Sequence, residues 1–350
     1  MLQLNLRQNQ IYNFICARGS ASSNEIIAHL TEVHQKISRM TLVRDIDSLL
    51  KSKYIKKTGA GRSTKYVEYN NNILLRYYDV DAYFKTEPDN RNCQETFNFE
   101  IFTRFGRIFT DKELKQLGSL TAEYQKHLAK IKPEIYRKEI ERLTIELSWK
   151  SAQIEGNTYS LLDTEELLKN HREAPGHRRD EAVMILNHKT ALDYIFAHKT
   201  DYRKITPRKI EDIHRLLIKN LDVSYGLRNS LVRVIGTKYR PLDNRYQIRE
   251  AVESAAQIIN KYKCPFHKSL AAIILLSYIQ PFTDGNKRTA RLLGNAILAA
   301  QQACPLSYRS VDPVEYKKAM LLFYEQNSLA YFKELYLAQY EFSVRNYFLV

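Results

Sequence analysis

From Glu113 onward the chain reads almost wholly as helix, and the segment KEIERLTIELSWKSAQIEGN is the clearest case. Ile140, Leu143, Leu147, Ser151 and Ile154 recur there at three-and-four spacing, which predicts one long helix stopped by Gly156. Helices with an apolar stripe must bury it against one another, so the fold class is mainly α. The longest apolar run, Leu270 to Ile279, falls far short of the roughly 20 residues a membrane-spanning helix needs. The opening MLQLNLRQNQIYNF lacks the charged-then-apolar order of a secretion signal, and Cys16, Cys93, Cys264 and Cys304 form no C-x-x-C pair. These features place the expected protein in the cytoplasm, reduced and off the membrane.

Two charges sit at the wrong ends of two helices. In YIQPFTDGNKRTARLLGNAIL the cations Lys287, Arg288 and Arg291 fall at a helix start, where the helix dipole is already positive. Glu155 falls in the last turn of the helix that Gly156 ends, where a carboxylate is disfavoured, and Ser151 lies one turn before it on the same face. A bidentate ion pair of Glu155 with Arg291 or Arg288 would remove both anomalies. So would an external anion. Gly285-Asn286 can turn successive N–H groups toward one point, Arg288 and Arg291 reach one side of that point, and Asp284 offers a hard oxygen to Mg2+. The loop therefore reads as a nucleotide-phosphate cradle, with Phe282 as its anchor in the core. The bland alternative is a plain Asp-Gly turn entering a helix.

A net charge of +15 points to polyanions, and its distribution is uneven. Residues 1–70 hold eleven Lys/Arg against five Asp/Glu. Three short helical patterns are expected there: one through Gln10–Ile15 that stops at Gly19, one after Ser22 and Ser23, and one after Ser38. The third puts Leu42, Ile46 and Leu49 on one face and Arg39, Thr41 and Arg44 on the other. YIKKTGAGRSTKYVEY then predicts two strands around Gly59-Ala60-Gly61, with Lys56, Lys57, Arg62 and Lys65 on or near the turn. Three helices and a basic hairpin resemble a winged helix-turn-helix, a small α+β domain whose third helix enters the major groove of DNA. Winged helices also serve as docking pieces, so DNA is the expected partner and not the sole one. Residues 71–137, with the acidic break TEPDNRN, read as a connector and helical extension.

The stretch Gln280-Pro281-Phe282-Thr283-Asp284-Gly285-Asn286-Lys287-Arg288-Thr289-Ala290-Arg291 resembles the signature of the Fic (Fido) family, His-x-Phe-x-Asp/Glu-Gly-Asn-Gly/Lys-Arg-x-x-Arg, at seven of its eight specified positions. Ser151 through Asn157 is similar to the family's inhibitory-helix pattern, and Tyr225 to Asn244 to its β-hairpin flap. The resemblance implies an inhibitory region at 138–160 and a helical Fic-like core at 161–350 that transfers AMP from ATP to a Ser, Thr or Tyr hydroxyl of a target protein. It also implies site roles. Asp284 would hold Mg2+, and Gly285 and Asn286 would cradle the transferred phosphate. Lys287, Arg288 and Arg291 would serve the rest of the nucleotide, while Ser151, Glu155 and Gly156 would form the inhibitory element.

Position 280 departs from the pattern. The family has a histidine there to take the proton of the attacking hydroxyl, and the amide of Gln280 cannot do so. Two functions stay open on the sequence: an autoinhibited adenylyltransferase slowed by Gln280, and a nucleotide-binding regulator without turnover that reports to DNA. A scaffold with relic motifs is the third. A homodimer is left open.

Overall fold

The computed structural model describes residues 4–33, 37–52, 54–69 and 72–349, with the side chains of Val33 and Arg62 outside the described set. Two compact units divide the chain, Met1–Glu87 and Pro88–Val350, so the acidic break expected in the connector straddles their boundary.

In the first unit α1 (Leu6–Arg18) starts at a reciprocal cap between Asn5 and Gln8 and stops at Gly19, whose φ of 75° only glycine adopts at low cost. Next come α2 (Ser23–Val33) and α3 (Arg39–Lys51), the latter capped by Ser38, which accepts from the Thr41 amide. Strands β1 (Ile55–Thr58) and β2 (Lys65–Glu68) pair antiparallel, Ile55 opposite Glu68 and Thr58 opposite Lys65. A short helix α4 (Val80–Phe84) follows. Leu42, Ile46 and Leu49 enter the core of this unit with Ile11, Ile15, Ile26 and Leu30, as their spacing predicts. Arg39, Arg44, Lys56, Lys57 and Lys65 are exposed. Thr41 is half-buried, its hydroxyl on that of Ser38, and the Arg62 side chain lies outside the described residues.

The second unit is helical: α5 (Ile101–Arg104), α6 (Asp111–Leu128), α7 (Pro133–Ile154), α8 (Leu161–Asn170), α9 (Arg179–Ala197), α10 (Pro207–Leu217), α11 (Arg245–Lys261), α12 (Pro265–Ile279), α13 (Asn286–Ala300), α14 (Pro313–Gln326) and α15 (Ala330–Asn346). Every residue of α12 from Phe266 to Ile279 is buried, which makes it the central helix, apolar on all sides because neighbours cover all sides. Its main neighbours are α13 and α11. No helix among the described residues is long and apolar enough to cross a membrane.

The expected β-hairpin at Tyr225–Asn244 is not formed: β1 and β2 are the only paired strands among the described residues. The carbonyls that would face each other across such a hairpin are otherwise engaged. Those of Ser230 and Leu242 accept from the Arg228 guanidinium, and the Arg240 amide donates to the Glu95 carbonyl at 2.8 Å. A single parallel bridge, Thr96 to Arg240, takes the hairpin's place. The flap is a loop braced by the segment that opens the second unit.

Candidate functional site

The loop between α12 and α13 is built by its own side chains. Gln280 ends α12 in the left-handed region, φ 50°, and Gly285 precedes α13 at φ 77°. Between them Phe282 is fully buried and stacks on His214, ring centroids 3.7 Å apart. Asn286 closes the loop from both sides, accepting from the Phe282 amide and donating to the Phe282 carbonyl, each at 2.8 Å. Its amide is therefore committed to the loop, and what it offers an anion is the backbone N–H of the first helical turn. The His214 ring donates through Nε2 to the Asp284 carbonyl at 3.0 Å, and burial holds its pKa down at about 4, so the ring is neutral under the cradle at pH 7.

All three cations are engaged by carboxylates, in a pattern more divided than the expected bidentate pair. Arg291, fully buried, donates from Nη1 to Glu155 Oε1, from Nε to Ser151 Oγ and from Nη2 to the Ser151 carbonyl, each at 2.9 Å. Lys287 Nζ takes the other oxygen, Glu155 Oε2, at 3.0 Å. Glu155 thus bridges two cations and does not fork onto one. Arg288 pairs within its own helix start, Nη2 to Asp284 Oδ2 at 2.7 Å, while its Nη1 is buried with no hydrogen-bond partner. An arginine that is 1% exposed with an unsatisfied N–H marks where an acceptor is missing.

Electrostatics favour this arrangement strongly. Burial alone would raise the Glu155 pKa, but the charges of Arg291 and Lys287 outweigh it and hold the carboxyl at about 2. Glu155 caps the C-terminus of α7 and Gly156 follows at φ 98°, so Ser151 and Glu155 reach α13 from one helix end. Asn157 and Thr158 then anchor the chain on α9, through the Glu181 carbonyl and carboxylate, both at 2.9 Å.

Gln280 is 7% exposed, and its Nε2 donates to the Ser277 carbonyl at 2.7 Å and to the Tyr324 hydroxyl at 3.3 Å. Four features of the site gave no signal in the sequence: the second clamp on Glu155 by Lys287, the His214 support, Tyr324, and Arg228, whose Nε donates to the Gln280 carbonyl at 2.7 Å. No spacing rule links residues 52 positions apart in a loop and a helix cap.

The Asp284 side chain is 60% exposed and gives one oxygen to Arg288, which leaves the other to the outside. Among the described residues no group of three or more His, Cys, Asp or Glu converges. A single carboxylate suits a magnesium ion that completes its shell with water and phosphate oxygens, and does not suit an all-protein metal cage.

Comparison with known proteins agrees with this geometry. Residues 204–298, which include the loop and most of α13, match the model of the Fic/DOC family. Among curated proteins the chain is 28% identical over 246 residues to a protein adenylyltransferase Fic of Drosophila grimshawi, covering 68% of this chain and 49% of that one. It is 35% identical over 156 residues to one of Aedes aegypti, covering 42% and 30%. The chain spans about half or less of the length of these relatives. Among solved structures, Fic-1 (residues 134–508) from C. elegans superposes with a TM-score of 0.57 at 21% identity, covering 67% of this chain and 71% of that one. A Fic domain containing signaling protein from Bacteroides thetaiotaomicron gives 0.55 at 20%, covering 67% and 94%. These structures share the helical fold. The signature loop lies within the stretch 204–298 that matches the Fic/DOC family, and the helices around it have the fold of the solved Fic structures.

Proposed function

We propose that the helical unit binds Mg–ATP at residues 284–291 and is a protein adenylyltransferase of the Fic type, held inactive by Glu155 and slowed by Gln280. The observation that carries this reading is the state of the two arginines. Arg291 is satisfied by an internal carboxylate at 2.9 Å, whereas Arg288 beside it keeps a buried N–H without an acceptor. A polyphosphate supplies both needs, displacing the one carboxylate oxygen and meeting the other N–H.

In the proposed reaction an acceptor hydroxyl oxygen bonds to the α-phosphorus, the bond to the β-phosphate oxygen breaks, pyrophosphate leaves and the hydroxyl proton passes to solvent water. Asp284 would hold the metal, which when bound offsets phosphate charge. The backbone N–H groups after Gly285 and the side chains of Arg288 and Arg291 would bind the phosphates, and the loop Tyr225–Asn244 would receive the target segment. Gln280 Nε2 is committed to Ser277 and Tyr324, so its Oε1 is the end left to orient a hydroxyl, and it takes no proton. The absent base costs a factor of about 100 to 10,000.

The test uses ATP labelled at the α-phosphate, with calorimetry of Mg–ATP binding. The chain as given transfers little label and binds Mg–ATP weakly. Glu155→Gly restores binding, and adding Gln280→His raises transfer by about 100-fold or more. Label transfer by the unmodified chain equal to that of the double variant would sink the proton-transfer argument.

A second reading is favoured by the amide at position 280 and by the first unit: a nucleotide-binding regulator that turns over little and acts on DNA. Three helices and a basic hairpin support a winged helix-turn-helix, with Arg39 and Arg44 on α3 and Lys56, Lys57 and Lys65 on the hairpin exposed to meet phosphate. Between the arginines, Met40 and Val43 are 68% and 55% exposed, apolar groups suited to thymine methyls.

A further inference from the structure

Arg228 is buried to 2% exposure, and no carboxylate among the described residues lies within ion-pair distance of it. Burial lowers its pKa, with Asp243 acting only at longer range. A buried guanidinium without an acid is unusual enough to ask what holds it, because its N–H groups must all find acceptors. Here they find backbone. Nε donates to the Gln280 carbonyl and Nη1 to the Ser230 carbonyl, each at 2.7 Å, and Nη2 to the Leu242 carbonyl. Its own amide donates to the Pro281 carbonyl at 3.0 Å.

These four bonds join both ends of the flap loop to the left-handed cap that carries Gln280, beside a second tie in the last turn of α12, where the buried Tyr239 hydroxyl donates to the Tyr278 carbonyl at 2.8 Å. Ser230 and Leu242 flank the exposed apolar residues Leu231 and Ile235, 71% and 96% exposed, so the clamp grips the base of the segment that projects outward. A carboxylate partner would have neutralised the charge but occupied N–H groups that here hold backbone carbonyls. Three carbonyl dipoles converge on one cation, and the planar fork of arginine fixes their directions as a lysine ammonium does not.

We infer that Arg228 is a positioning residue that locks the flap loop 229–243 to the backbone of Gln280 and Pro281, so that a target segment held by the flap meets residue 280 in one fixed register. The inference rests on the proposed transfer activity for its consequence, but its geometry is testable without that activity.

Amide hydrogen exchange on the full chain tests it. Arg228→Ala should speed exchange over 229–243 by about tenfold or more, while peptides of α13 change by less than about twofold. Arg228→Lys should recover part of the protection, since an ammonium keeps three donors without the fork. Kinetics supply the second readout. In the Glu155→Gly/Gln280→His chain, Arg228→Ala should lower the rate of self-labelling about tenfold and leave KM for Mg–ATP within about twofold. Unchanged exchange over 229–243 overturns the inference, and so does exchange that rises equally throughout the helical unit, which would make Arg228 a general packing residue. If the double variant itself fails to label, the proposed activity falls and the exchange result alone decides the role of Arg228.

Discussion

At the scale of single residues, the Glu155 carboxylate and the His214 ring titrate in different windows. Glu155 is ionised at any pH near neutrality, because its folded pKa of about 2 lies below the ordinary carboxylate value. Its stabilising contribution is present above the unfolded pKa and fades only as pH falls from about 4.5 toward 2, so physiological acidification does not break its ion pairs with Arg291 and Lys287. His214 behaves otherwise. Its folded pKa near 4 lies below the ordinary 6.5, so the unfolded chain binds the extra proton first and stability falls as pH drops from 6.5 to 4. For a ring 1% exposed the full effect is about 3 kcal/mol, and His188, buried with its pKa also lowered by burial, adds in the same direction. Urea denaturation at a series of pH values should show this slope in the parent chain and a shallower one in His214→Phe. A parent whose stability is flat from pH 6.5 to 4 would show that the ring is free to protonate when folded.

At the scale of elements, the placement of the arginines depends on how closely α13 lies on α12. Gly294 sits at that crossing: a Cβ there would meet Ile273 Cγ1 at 2.6 Å and Cδ1 at 2.7 Å, and Ser269 Oγ at 3.2 Å. The obstructing Cγ1 is near the backbone, so the helices must separate. Gly294→Ala should cost about 1–3 kcal/mol by overpacking, more than the roughly 1 kcal/mol alanine returns in helix propensity. A thermal melt should show a loss of roughly 2–4 °C per kcal/mol, and an unchanged or higher Tm would place the helices further apart. This contact also shows where sequence pattern stops. The stripe of Leu143, Leu147 and Ser151 and the run from Leu270 to Ile279 were legible because burial repeats along one helix. Gly294 was not, since its reason is a residue on another helix. The anomaly of charge at helix ends located Glu155 and Arg291, but could not choose between Arg288 and Arg291 or reveal Lys287. The flap misled because the family resemblance implies a hairpin, whereas here the Ser230 and Leu242 carbonyls are taken by Arg228 and the Arg240 amide donates to the Glu95 carbonyl.

At the scale of the whole molecule, the basic charge of the first unit is concentrated before residue 70. Residues 1–70 carry a +6 excess of the +15 total, and besides Lys51 at the end of α3 five described cations, Arg39, Arg44, Lys56, Lys57 and Lys65, are exposed on α3 and the hairpin. Asp47 is exposed on the same helix and opposes phosphate there, so the hairpin lysines matter more than their number suggests. If all five cations meet phosphate, each contributing a slope near −0.9, the logarithm of affinity falls with the logarithm of salt at about −4 to −5. Raising salt from about 50 to about 200 mM then weakens binding to a mixed-sequence duplex by roughly 500-fold. Replacing Lys56 and Lys57 together by alanine should reduce that slope by about 2 and weaken all duplexes alike, since phosphate contacts carry no sequence information. Met40→Ala should instead leave the slope unchanged and alter the ranking of duplexes that differ in thymine content. Gel-shift titrations at several salt concentrations distinguish these outcomes. A shift that is absent, or insensitive to salt, removes DNA as the partner of the first unit.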